Sequence, residues 1–407
     1  MNTQVLSTEK PLQNADTPLD AGLVFLLASA AGLSVASLYY NQPMLSTLAA
    51  EFHASPTVIG RIPTLTQLGY ALGILLLAPL GDRFDRRTII LCKVALLALA
   101  LLATAAAQSI TQLGALSVVI GITASLAQDA VPAAAALAPE SRRGKIVGSV
   151  MTGLLLGILL SRVASGLVTE LFGWRALFMI AAGLVALLGI VAARRLPHFA
   201  PSTDLPYAAL LGSLVTLWRR HADMRRAALA QGLLSAAFSA FWSTLAVMLH
   251  QPPFGYGSAI AGAFGLAGAI GALAAPVAGS LADRRGPEHV TRIGAVLVII
   301  SFAGFALLPH SLGMLIAGTL VFDLGVQASL IAHQSIVYGL EPGARSRLNA
   351  LLIGAMFVGM AGGSALGSLA LDLAGWRGLC AFAGSAALAA LAVRLWPHKA
   401  SGEPIHR

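Results

Sequence analysis

Long apolar stretches recur along the whole chain with only short polar connections between them, for example residues 23–38, 94–107, 150–160 and 295–308. About 20 residues of helix cross the hydrocarbon of a bilayer, so each stretch is a candidate span. Inside lipid no water is available to the backbone, and helices satisfy their own N–H and C=O groups. Of the 407 residues, 57% are hydrophobic and 11% charged, far more apolar surface than one water-soluble domain can bury. The expected fold class is therefore an all-α membrane protein. Twelve spans are expected, beginning near Asp20, Thr57, Thr88, Thr111, Lys145, Trp174, Arg225, Gly257, Val290, Ser311, Arg347 and Trp376.

The chain is basic, with 26 Lys and Arg against 17 Asp and Glu. A nucleic-acid binder would gather these on one face; here they alternate with the spans. One set of connections holds Arg83, Arg86, Arg87, Lys93, Arg142, Arg143, Lys145, the arginines from Arg194 to Arg226, Arg284, Arg285, Arg345 and Arg347. The opposite set holds Arg61, Arg175 and Arg377. By the positive-inside rule the first set, with both termini, is expected in the cytoplasm. The lipid bilayer is thus a partner and nucleic acid is not. Cys92 and Cys380 have no companions at metal-ligand spacing and read as packing residues. Residues 1–19 lack the charged-then-apolar pattern of a secretory signal.

A long-period repeat divides the chain. Gly81-Asp82-Arg83 returns as Ala282-Asp283-Arg284, and Gly173-Trp174-Arg175 returns as Gly375-Trp376-Arg377 in a matching longer frame. The expected organisation is an N-terminal tail (1–19), a six-helix half (20–193), a cytoplasmic linker (194–224), a second, pseudo-symmetric six-helix half (225–396) and a C-terminal tail (397–407). The linker carries Pro197, Pro201 and Pro206. Its middle, residues 205–218, reads equally as an amphipathic surface helix or as a loop.

Two connections carry a recognisable motif. Residues 78–87, Ala-Pro-Leu-Gly-Asp-Arg-Phe-Asp-Arg-Arg, and residues 279–286, Gly-Ser-Leu-Ala-Asp-Arg-Arg-Gly, resemble the G-x-L-A-D-R-x-G-R-R signature of the major facilitator superfamily. The resemblance extends over essentially the full length and implies that family's fold. It further implies that Asp82, Arg83, Arg86, Arg87, Asp283 and Arg284 gate by latching one conformation and do not bind substrate. An acid at a helix end followed by arginines can pair with the opposite half or with a helix N-terminus; a solvated turn is the bland reading. The first copy departs from the pattern at Ala78 and Asp85, and the second ends in Pro287 and Glu288. Span 5 keeps Gly153 and Gly157 of the G-x-x-x-G-P-x-x-G-G segment of proton-driven exporters but lacks its Pro-Gly-Gly end. Leu-Tyr-Tyr-Asn-Gln-Pro at 38–43 resembles a segment of bacterial drug and sugar efflux carriers.

Charge inside a span is costly and normally faces a cavity or a partner. Asp323, near the middle of span 10, is the first candidate for proton coupling, with a hydrogen-bonded structural acid as the alternative. Asp129, before Pro132 in span 4, is the second. Arg162 in span 5 must meet an acid, backbone carbonyls or an anionic substrate. Spans 1 and 7 flank the cavity in this family, so Tyr40, Asn41, Phe241 and Trp242 are expected to contact substrate, although Tyr and Trp serve equally as interfacial anchors. Gln327 and His333 line approximately one side of span 10, and His333 reads as packing more readily than as a relay.

No G-x-x-x-x-G-K-[ST] loop is present, so no nucleotide powers the protein, and no nucleophile–base pair or metal constellation indicates an enzyme. No cofactor is expected beyond a proton gradient. The function that follows is proton-coupled antiport, the efflux of a small organic solute or drug by a monomer in the bacterial inner membrane. Uptake by symport or facilitation uses the same residues, and a non-transporting membrane sensor is the reading from another class.

Overall fold

The computed structural model describes residues 20–201, 203, 205–273, 280 and 284–396. The two tails and Asp283 lie outside them. The described helices, in chain order, are α1 (Ala21–Ala36), the short α2 (Leu45–Glu51), α3 (Pro56–Arg83), α4 (Arg86–Ala105), α5 (Ile110–Leu137), α6 (Glu140–Phe172), α7 (Trp174–Arg195), α8 (Tyr207–Arg220), α9 (Ala222–His250), α10 (Ser258–Leu273), α11 (Pro287–Leu307), α12 (Leu312–Tyr338) and α13 (Arg345–Leu395). Among the described residues nine helices are long and apolar enough to span a membrane, and α1 and α10 are shorter apolar helices. The 51-residue α13 breaks at Ala374 and Gly375, where the backbone leaves helical geometry, and so supplies two crossings. Among the described residues the total is twelve. Exposed leucines such as Leu96, Leu99, Leu102 and Leu187 coat the outside, as a lipid-facing surface requires.

The connections fall on two faces. Arg195 meets Asp20, Arg87 meets the Ala193 carbonyl, and Arg394 pairs with Glu288, all on the face that collects the arginines. On the opposite face Arg175 pairs with Glu51 and donates to the Ala107 carbonyl. The Gly-Trp-Arg repeat has a physical reason there. Gly173 (φ +83°) and Gly375 (φ +63°) reverse the chain in conformations open to glycine. Each tryptophan that follows then ties its turn to a neighbour: Trp174 Nε1 donates to Glu51 Oε2 at 2.7 Å, and Trp376 Nε1 donates to the Phe305 carbonyl at 3.1 Å.

Each half has its own core. In the first, Leu27, Leu97, Leu126 and Trp174 pack together; in the second, Phe241, Phe302, Phe305 and Phe322 form an aromatic cluster. A smaller seam joins them, in which Val35, Tyr39, Tyr70 and Ile74 meet Phe357 and Met360. The Tyr70 and Phe357 rings stand 4.3 Å apart. Helix α8 occupies part of the expected linker, with Leu210, Leu214 and Leu217 buried and Val215 and Trp218 exposed. It touches both halves: Leu217 packs with Leu348 and Leu352, and Tyr207 Oη donates to the Leu76 carbonyl at 2.7 Å.

One expectation from sequence needs correction here. Lys93 is not a connection residue: it lies within α4, 4% exposed, and bonds Asp129 at 2.6 Å. Gly153 and Gly157 lie against α1. They let α6 approach α1 within the first half, where a Cβ on Gly153 would stand 2.6 Å from the Ala28 carbonyl oxygen.

Candidate functional site

Between the halves a buried group of polar and aromatic side chains centres on Arg162. It is 3% exposed and projects from α6. Its guanidinium carbon lies 4.6 Å from the Tyr39 ring centre and 4.2 Å from that of Trp242, with Phe238 at 5.9 Å. A cation over ring faces is stabilised by their quadrupoles, more so away from water. Tyr39 belongs to the first half and Trp242, on α9, to the second, so the contact crosses the boundary. Nε of Arg162 donates to Gln42 Oε1 at 2.7 Å. The Nε1 of Trp242 donates to Asp323 Oδ1 at 3.4 Å. Asp323, 3% exposed, lies within the electrostatic reach of Arg162. Its other oxygen faces Gly268 on α10, where an added Cβ would stand 2.5 Å from Oδ2.

The two donors left over are informative. Arg162 Nη2 and Gln42 Nε2 are buried and have no hydrogen-bond partner among the described residues. Arginine cannot accept, so the Gln42 atom that faces Nε must be its oxygen and the free atom its NH2 group.

Other expected residues lie elsewhere. Tyr40 packs in the first-half core, its carbonyl accepting from Ser165 Oγ at 2.5 Å. Asn41 turns into the interior of the first half, donating to Thr66 Oγ1 at 3.1 Å beside a cavity of about 10 Å³. That space also meets Ser37, Thr104 and Ser117 and suits one water molecule. Phe241 stacks on Phe305 in the second-half core. The cause is local: residues 37–44 run as turns, so helical spacing misjudges which of them face inward. Tyr39 and Gln42 take the places expected for Tyr40 and Asn41. Gln327 is half-buried, one turn from Asp323 toward the basic face. His333 is fully buried beside Gln231, 3.0 Å from its Oε1.

Away from the basic face, hydrogen bonds close the halves on one another. Ser364 Oγ donates to the Gly60 carbonyl, Thr57 Oγ1 to Asp372 Oδ2, and the Ala259 amide to Glu170 Oε2. Deeper, Gln67 and Ser239 exchange two bonds of 3.0 and 3.1 Å. On the basic face a cleft of about 50 Å³ separates Asp82, Arg86 and Asp129 of the first half from Ser346 and Arg347 at the start of α13. Asp82 and Arg86 pair at 3.1 Å, and the Lys93–Asp129 pair lies directly behind them.

Arg83 covers the Phe84 ring, and Arg87 reaches His198 and the Ala193 carbonyl. Asp85 stands where the motif has glycine. It caps α4 through the Arg87 amide and also accepts from the Phe199 amide and His198. Burial opposes its charge, yet these donors prevail and hold its carboxyl below the ordinary range. Arg284 is exposed. Sequence reasoning missed Lys93, Tyr39, Gln42, Phe238 and the Gln67–Ser239 pair; only Tyr39 and Gln42 stood in a segment already singled out.

Two six-helix bundles meeting at a buried charged centre, closed on one face and cleft on the other, define a multi-pass membrane transporter. The Major Facilitator Superfamily description matches residues 27–331. The chain is 42% identical over 375 residues to the uncharacterized transporter YgaY of Escherichia coli O157:H7, covering 92% of this chain and 95% of that one. It is 36% identical over 366 residues to SCO4007 of Streptomyces coelicolor, described as a probable transporter, covering 88% and 84%. The solved nucleoside transporter NupG superimposes with a TM-score of 0.72 at 17% identity, covering 92% of this chain and all of that one, which bears on fold alone. The chain belongs to the Major Facilitator Superfamily.

Proposed function

We propose that this protein is a proton-coupled secondary transporter of a small organic solute, working by alternating access in the bacterial inner membrane with its basic face in the cytoplasm. The observation that carries this reading is the Arg162–Trp242–Asp323 centre, in which one half supplies a buried cation and the other a buried acid. An ionised Asp323 attracts Arg162 strongly in a medium of low polarity. Protonation cancels that attraction, so proton binding and the relative position of the halves are coupled, and a solute that favours one position becomes coupled to the proton. We assign gating to Asp82, Arg83, Arg86 and Arg87 beside the cleft, with Asp283 and Arg284 in the same role by the repeat. Asp129, held by Lys93, belongs with the gate.

Export is the direction implied by the resemblance of residues 38–43 to efflux carriers. Movement of solute and proton together is the second reading, and one feature favours it: the partner of Asp323 is a fixed cation, so the centre is neutral when empty. The test is pH recorded inside everted vesicles carrying a respiratory proton gradient, and in right-side-out vesicles without one, as solutes are added. Antiport gives collapse of the gradient in the first; symport gives solute-evoked proton entry in the second. Either signal must vanish in Asp323→Asn. A variant as responsive as the parent refutes coupling through Asp323.

A further inference from the structure

The unpaired donors at the centre specify what it takes. We infer that the transported solute is an aromatic monocarboxylate, its carboxylate received by Arg162 and Gln42 and its ring by Tyr39 and Trp242, and that it binds together with a proton on Asp323; this rests on the symport form of the transport reading above. Arg162 Nη2 and Gln42 Nε2 are both buried N–H donors without an acceptor. A buried donor left unsatisfied is costly, and a ligand oxygen relieves that cost. A carboxylate supplies two acceptor oxygens and suits the planar guanidinium better than any neutral group. The ring faces of Tyr39 and Trp242 already lie against the guanidinium and offer flat apolar surface to a flat solute.

Charge then decides what accompanies the solute. Among the described residues the charged group acting on Asp323 is Arg162 on α6; α9 and α10 present Trp242 and Gly268 to it, and Tyr39 is the titratable group beyond Arg162. With Asp323 ionised the centre is neutral, and an anion would leave it with a buried net negative charge. A proton on Asp323 restores neutrality. The proton forms its bond to a carboxylate oxygen of Asp323 while the solute remains an anion, and no other group changes charge. A cationic solute has the opposite problem, because it would enter beside Arg162 with only the acid already shared. The Arg162 guanidinium lies over the Trp242 ring, so the solute replaces that contact as the halves part.

The test is equilibrium binding of radiolabelled benzoate to the full chain in lipid nanodiscs, with benzamide and benzylamine as competitors of similar shape but neutral and cationic. Benzoate affinity is expected to fall about tenfold per pH unit over the range in which Asp323 loses its proton. Asp323→Asn should bind benzoate with a pH response under about twofold, and Arg162→Gln should weaken binding about 10- to 100-fold, the worth of a charge-assisted hydrogen bond. Benzamide competing as well as benzoate, benzylamine competing at all, no benzoate binding, or an unchanged pH slope in Asp323→Asn would each overturn the inference. If benzoate fails to bind while another solute evokes Asp323-dependent proton movement, the inference falls and the transport reading stands. Benzoate binding as described without solute-evoked proton flux supports the ligand chemistry of the centre and refutes the transport reading.

Discussion

Replacing Lys93 with methionine keeps most of the side-chain volume and removes its charge. Asp129, 2% exposed beside the cleft, then loses a partner 2.6 Å away. Breaking a buried ion pair from one side costs about 3–5 kcal/mol, because the remaining charge is left uncompensated. Arg86 also acts on Asp129, which points to the lower end of that range. At about 2–4 °C per kcal/mol for a unit the size of one half, the melting temperature should fall by about 6–20 °C. The assay is thermal unfolding of the purified protein by intrinsic tryptophan emission, to which the buried Trp174 of the first-half core contributes. Lys93→Met/Asp129→Asn removes both charges and should recover at least about 2 kcal/mol of the loss, a coupling typical of residues in direct contact. The reasoning is refuted if Lys93→Met melts with the parent, or if the two losses simply add.

Gly268→Ala places a methyl group 2.5 Å from Asp323 Oδ2 and should abolish solute-evoked proton movement, while Gly183→Ala, with open space around its Cβ, should leave it intact. Asp85, whose carboxyl lies below its usual range, adds stability that is present above its unfolded value of about 4 and is lost as pH falls through the lower folded value. Hydrogen exchange at the Arg87 and Phe199 amides should therefore accelerate in Asp85→Asn at neutral pH, and in the parent only under strongly acidic conditions; equal protection in the variant would show that other bonds hold this junction.

The sequence by itself determined the architecture. Apolar stretches of span length dictate helices, because lipid offers the backbone no other partner, and the repeated Asp-Arg and Gly-Trp-Arg landmarks expose the two related halves. It also singled out Asp323 and Arg162, since an ionisable residue in an apolar run stands out whatever surrounds it. What faces what was decided by the tertiary structure. Tyr39 and Gln42 meet Arg162 while Tyr40 and Asn41 turn into the first half, because residues 37–44 are turns whose side chains follow no fixed period. Trp242 reaches the boundary and the adjacent Phe241 fills the second-half core, since neighbours on a helix point about 100° apart. Lys93 reads as one more basic residue near a helix start until α5 brings Asp129 against it, 36 positions along the chain. Chemical type is local and legible in sequence. Which types share a site depends on helix contacts that no stretch of sequence contains.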